Sequence, residues 1–295
     1  MPHLGFFLDW LKRNTKPMSR RTIAIAAALS VLSLGSPLIS GCTNPLGIQY
    51  FNQGVEKHKA DDYQGAIDEY TKAIEINPQD ADSYYNRGVA KFDLKDYQGA
   101  VSDYTKAIEI NPEYAIAYDN RGVSKGKLKD DQGAIADYTK AIEIDPQRVN
   151  TYFNRAVAKL RLKDLKGSIA DYTKVIEIDP QNAVAYRNRG DIKVRLQDDN
   201  QGAIEDLSKS IEIDPQDDQA YFIRGYAKLN LKDRQGAIGD WNRALEINPE
   251  HSYALLNRGA ARELANDLEG ACEDWRKAAE LGLKKPAEWV KNQCK

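Results

Sequence analysis

A period of 34 residues constrains this chain more than any other feature of its sequence. Prolines stand at 78, 112, 146 and 180, and runs of the Tyr-Asn-Arg-Gly type centre on Asn86, Asn120, Asn154 and Asn188. Self-similarity at this period marks stacked two-helix units, each with an apolar face that only its neighbour can cover. Within one unit, Tyr84 and Gly88 lie four apart on a first helix. Ala100, Val101, Tyr104, Ala107 and Ile108 trace one face of a second helix, which Pro112 stops. Gly88 and Ala100 let the two helices approach, and Tyr104 fills the space their missing side chains leave. The expectation is an all-α chain of helix-turn-helix units.

Units begin near Gly47, Ala81, Ala115, Val149, Ala183, Asp218 and Ser252. The succession Tyr84, Gly88, Ala100, Tyr104, Ala107, Pro112 resembles the signature of the tetratricopeptide repeat (TPR), and seven matches in register cover nearly all of residues 47–285. The resemblance implies a right-handed α-solenoid whose first helices line a concave groove, and a role in holding proteins. Three departures stand out. Unit five has an extra residue in its inter-helix turn, at Asp198-Asp199-Asn200, and carries Leu207 and Ser210 in place of aromatic and Ala, which predicts a looser repeat. Units six and seven replace the second-helix tyrosine by Trp241 and Trp275, and unit four has Ala156 and Ser168.

The first 41 residues read as a leader. Basic residues up to Arg20 and Arg21 precede a largely apolar run, Ile23 to Leu34, too short to span a bilayer but suited to a secretory signal. Leu38-Ile39-Ser40-Gly41-Cys42 resembles the lipobox of bacterial lipoproteins, which implies lipidation of Cys42 and a tether over 42–46; a cysteine that merely follows a signal peptide is the plainer reading. Met18, just ahead of Ser19-Arg20-Arg21, is an alternative start. Thr43 after the cysteine points, by the usual sorting rule, to an outer membrane and the periplasmic side. From Cys42 onward the chain has 37 basic and 43 acidic side chains, a net charge of −6, with no basic stripe for neutralising phosphates. Nucleic acid is therefore not an expected partner.

Charge recurs with the period. Arg87, Arg121, Arg155, Arg189, Arg224 and Arg258 follow the first-helix Asn position, and an acid recurs on the second helix at Glu69, Asp103, Asp137, Asp171, Asp206, Asp240 and Asp274. The expectation is a partly buried ladder of arginine forks on carboxylates rather than a catalytic acid pair, since the spacing is periodic and no histidine joins it. Lys72 with Glu75 and Lys106 with Glu109 are expected to decorate the solvated face. His58 and His251 are isolated, and neither a phosphate loop nor metal-ligand spacing occurs, so no cofactor, metal or catalytic residue is expected.

Cys272 replaces the Ile67, Val101 or Ile135 of other units and should face a terminal helix over 286–295, in which Pro286 suits the first turn and Trp289 and Val290 offer an apolar side. In an exported protein this leftover pair reads as a Cys272–Cys294 disulfide; two buried thiols are the alternative.

The groove positions implied by the resemblance are Asn52, Asn86, Asn120, Asn154, Asn188 and Asn257, interrupted by Ile223. They look like the asparagine ladder of the O-linked N-acetylglucosaminyl transferases, without any transferase domain following. An amide can grip a peptide backbone through both donor and acceptor, or it can serve local packing; both readings stand. Phe51, Tyr85, Phe153 and Phe222 are expected beside the ladder as aromatic anchors, with Val55, Val89, Val123 and Val157 nearby. The two-carboxylate clamp of chaperone adaptors is not expected, because its places hold Phe51, Val55, Asp119 and Val123. The leading expectation is a non-catalytic, membrane-tethered scaffold for a protein or peptide partner. The alternative is a self-associating structural protein of the envelope.

Overall fold

The computed structural model describes residues 44–197 and 199–294. The expected signal peptide, Cys42 and Asp198 lie outside the described residues. Among the described residues the regular structure is fifteen α-helices and no strand. They form seven hairpins: α1 (Pro45–Lys59) with α2 (Tyr63–Ile76), α3 (Ala81–Asp93) with α4 (Tyr97–Ile110), α5 (Ala115–Lys127) with α6 (Asp131–Ile144), and α7 (Val149–Arg161) with α8 (Leu165–Ile178). Then come α9 (Ala183–Leu196) with α10 (Asn200–Ile213), α11 (Asp218–Asn230) with α12 (Arg234–Ile247), and α13 (Ser252–Leu264) with α14 (Leu268–Glu280), followed by a lone helix, α15 (Lys284–Gln293). No described helix is long and apolar enough to cross a membrane.

Two local devices set each hairpin. The first helix ends at a residue held in the left-handed region, with φ between 58° and 67° at Asp61, Lys95, Lys129, Lys163, Gln197, Lys232 and Asn266. The second helix then starts on an aspartate whose carboxylate accepts the N–H of a glycine three residues on, as Asp96 does from Gly99 at 2.9 Å. This satisfies one of the unpaired N–H groups of the first turn. A Cβ on Gly99 would stand 2.0 Å from Asp96 Oδ2, so only glycine admits the cap in this form.

Packing within the hairpin follows from the small residues. A Cβ on Gly88 would meet the Tyr104 ring at 2.8 Å, and one on Gly225 would meet Trp241 at 2.7 Å. The wider indole thus uses the same gap as the tyrosine. Ala66, Tyr70 and Ala73, and their counterparts in each later unit, form the dry layer between helices. Unit five departs from the expected looseness. Its first helix runs one residue longer and ends directly on the left-handed Gln197, while Leu207 is fully buried against Gly190. The core of unit five is closed in spite of the extra residue.

Each hairpin packs on the next, and most successive first helices also touch one another. The first helices therefore form the inner wall of the array. At its C-terminal end α15 covers unit seven: Trp289 packs against Trp275 with ring centroids 5.1 Å apart, and a disulfide joins Cys272 to Cys294 with the Cα atoms 5.5 Å apart. The helix begins at Lys284, two residues before the expected start, which places Pro286 at its third position.

Candidate functional site: the first-helix wall

The arginine column is a set of joints between units. Arg87 Nε and Nη2 donate to the two oxygens of Asp103 at 2.9 and 2.8 Å, while Nη1 reaches back to Thr71 Oγ1 of the preceding unit at 3.0 Å. That hydroxyl in turn donates to the Ile67 carbonyl, so both its capacities are used. The arrangement recurs at Arg121, Arg155, Arg189, Arg224 and Arg258, with Nη1 reaching Thr105, Thr139, Thr173, Ser208 and Asn242 at 2.7–3.1 Å. Five of these six guanidinium groups also stack on a ring: Arg87, Arg121, Arg155, Arg189 and Arg224 lie over the tyrosine three residues earlier, 5.4–5.8 Å from its centroid.

Every one of these aspartates has a second cation. Lys91, Lys125, Lys159, Lys193, Lys228 and Arg262 stand 2.8–3.0 Å from the same carboxylates. The lysine and threonine columns were invisible as partners in the sequence, because Lys and Thr at such positions also suit a solvated helix face. In unit one Gln53 replaces the arginine, and Glu69 pairs with Lys57 at 2.8 Å and Lys72 at 3.1 Å. Lys72 thus turns to Glu69 rather than to the expected Glu75. Lys106 and Glu109 pair on the exposed surface at 2.6 Å.

Along the inner wall four asparagines each use one amide N–H within the chain. Asn86 and Asn257 give an amide N–H to the carbonyl four residues back, at 2.8 Å in both cases, which fixes the amide orientation. Asn120 and Asn188 face the hydroxyls of Tyr85 and Tyr172 at 2.9 and 3.1 Å. Asn154 is half-buried, and Asn52 is exposed on unit one. At 86 and 257 the amide oxygen and the second N–H are not used by these bonds, so both roles expected of the amides, backbone grip and local packing, remain.

Of the expected anchors, Phe51 and Phe153 are half-buried, whereas Tyr85 and Phe222 are only 6% and 2% exposed. Tyr85 is wedged between Tyr104 and Tyr114, and Phe222 lies against the His251 ring at 4.6 Å. These two rings are groove floor, not free anchors: each is covered by a residue from the following unit, a contact that no single-unit pattern reveals. Burial pushes the Tyr85 hydroxyl well above its ordinary range.

The middle of the wall holds charges that the sequence reading passed over. Asp119 takes the place of the aromatic at Tyr85 and Phe153, Arg187 takes it in unit five, and Asp191 stands where earlier units have valine. Asp119 faces Arg148 at 3.7 Å, Arg187 binds Asp217 at 2.7 Å, and Asp191 pairs with Arg195. Burial raises both the Asp119 and the Asp191 carboxyl above the usual range, against the pull of those arginines. The available signal was the break in each column. Among the described residues no group of His, Cys, Asp and Glu is arranged to hold a metal.

Profiles of the tetratricopeptide repeat match residues 81–114, 115–148 and 149–182, and one of the TPR repeat matches 56–95. The solved structures agree. The C-terminal part of a TPR repeat-containing protein from Cytophaga hutchinsonii is 18% identical, with a TM-score of 0.69 over 81% of this chain and 98% of that one. This chain is a tetratricopeptide repeat protein. YrrB, described as a TPR protein with an unusual peptide-binding site, is 22% identical over 63% of this chain and 95% of its own, with a TM-score of 0.59. MamA is 25% identical over 57% of this chain and 96% of its own, with a TM-score of 0.53. No curated protein matches. Repeats of this family are protein-interaction modules, and the fold of this TPR array is that of such a scaffold.

Proposed function

We propose that this TPR protein is a non-catalytic adaptor of the cell envelope. A lipid on Cys42 holds it to a membrane, the outer membrane on its periplasmic side, and the first-helix wall takes an extended or helical segment of a partner protein. What supports the reading is the row of asparagines on that wall, of which Asn86 and Asn257 tie one amide N–H to their own helix and keep the amide oxygen as an acceptor. An extended backbone exposes one N–H at every second residue on each edge, which such acceptors can engage without reading side chains. The half-buried Phe51, Phe153 and Val123 beside them add apolar contact, the usual source of binding energy.

The test is crosslinking in detergent-solubilised membranes followed by mass spectrometry. A protein enriched with the parent chain and lost on Asn86→Ala with Asn257→Ala supports the reading; no enriched protein removes it. Cys42→Ser should move the chain from the membrane to the soluble fraction.

A second reading, self-association, is supported by Leu46 and Ile48, which are 46% and 43% exposed on α1. Light scattering across concentrations separates the two, since a constant monomer mass contradicts self-association.

A further inference from the structure

We infer that the first turn of α1 is a second membrane contact: Pro45, Leu46 and Ile48 seat among the lipid headgroups beside the acylated Cys42, so that the array stands on its first unit. The inference rests on the lipid anchor of the adaptor reading and adds a protein surface to it.

The apolar surface and the anchor are close along the chain. Only Thr43 and Asn44 separate Cys42 from Pro45, so a lipid on the cysteine holds the start of α1 within about 10 Å of the headgroups. Leu46 and Ile48, 46% and 43% exposed, stand there in the places that Asp80 and Asp82 take in unit two. No side chain from Cys42 to Val55 is charged, and Glu56, where charge begins, lies about 16 Å along the helix from Pro45. The turn can therefore enter the headgroup layer without desolvating a charge, and its apolar contact adds to that of the lipid. Gly47 lies against Ile76 at the end of α2, where the exposed Glu75 keeps the insertion shallow.

A second copy fits this end less well. In unit two the face toward the preceding unit holds the fully buried Ser83 and Ala90, and Arg87 reaching Thr71. The matching positions on α1 are Gln49, Glu56 and Gln53, all exposed. That face is polar, as the outer face of a terminal repeat is, and offers no apolar seat to another array. The opposite end is closed by α15. The large apolar side chains that α1 exposes are Leu46 and Ile48, both at the anchored end.

The test uses the full chain, extracted with its lipid and reconstituted into vesicles of phosphatidylethanolamine and phosphatidylglycerol. A nitrobenzoxadiazole fluorophore is placed on Ile48→Cys or, for comparison, on Lys140→Cys, a position 60% exposed in unit three. Lipids carrying a nitroxide near the headgroup should quench position 48 several-fold more than position 140. Adding Leu46→Asp should bring quenching at 48 down to that of 140. The melting temperature should be retained, because an acid in the first turn suits the helix dipole. Equal quenching at 48 and 140, or quenching at 48 that Leu46→Asp leaves unchanged, overturns the inference while the chain still floats with the vesicles and the anchor stands. Energy transfer between fluorophores at 48 that disappears on dilution with unlabelled chain, without nitroxide quenching, assigns the surface to a second copy and also overturns it. A chain that does not float with the vesicles removes the anchor and the inference together.

Discussion

His251 shows how much one side chain can hold. Its Nδ1 accepts the N–H of Ala254 at 3.2 Å and so caps α13, which requires that the ring proton sit on Nε2. The Gln219 amide nitrogen lies 3.3 Å from the other ring nitrogen, Nε2, and 3.3 Å from the Asp218 carboxylate, to which it donates. Burial lowers the pKa of this histidine, against the pull of Asp218. Because the folded value lies below the unfolded one, the cap's contribution is complete above about pH 6.5 and is lost as pH falls from there through the folded pKa. Urea titrations between pH 5 and 8 should show His251→Asn, a cap that does not titrate, with a flatter pH dependence than the parent; parallel curves would refute this assignment. Arg155 tests the ladder in the same way. Arg155→Leu strips two hydrogen bonds from the buried Asp171 and leaves only Lys159 on it, so unfolding free energy should drop by about 2–3 kcal/mol. A midpoint equal to the parent's would mean that the pair is not a structural joint. The arginine and aspartate columns could be read from the sequence because opposite charges repeated in phase. Their lysine and threonine partners could not, since nothing short of the stacked units brings Thr139 to Arg155.

Helices and turns were the most legible layer, because what fixes them is local. The Gly88–Tyr104 fit and the stop at Pro112 act within one unit, and the 34-residue period repeats them; the Asp-x-x-Gly starts are equally local but emerged only with the structure. The left-handed residue at each turn is less economical. Lys163 sits at φ 65°, where an L-side chain costs roughly 1–2 kcal/mol relative to the right-handed region and glycine does not. Lys163→Gly should therefore raise stability by about 0.5–1 kcal/mol after glycine's greater unfolded-state freedom is offset, as read from denaturant midpoints. A decrease would show that the lysine makes a contact worth more than its strain. The terminal helix depends on a covalent link instead. Closing 22 residues of sequence between Cys272 and Cys294 is worth about 3 kcal/mol, and Cys294→Ser should release α15 first, seen as faster amide exchange at Trp289 and Val290 than in unit one. Uniform exchange across the array would contradict a locally acting staple.

Across the whole molecule, units couple only to their neighbours, so the wall is an emergent surface: no unit contains a groove. This is why the burial of Tyr85 and Phe222 under residues of the following unit could not be read from one repeat, and why Asp119, Arg187 and Asp191 read as stray departures until Arg148, Asp217 and Arg195 were seen opposite them. The partner is expected to lie along this inner wall. A photo-crosslinking amino acid placed at Asn120, on the wall, and separately at Lys140, 60% exposed on the second helix of the same unit, tests it most directly in native membranes. A discrete protein adduct from position 120 that is absent from position 140 is the predicted result. The same adducts from both positions, or an adduct from position 140 alone, would contradict it.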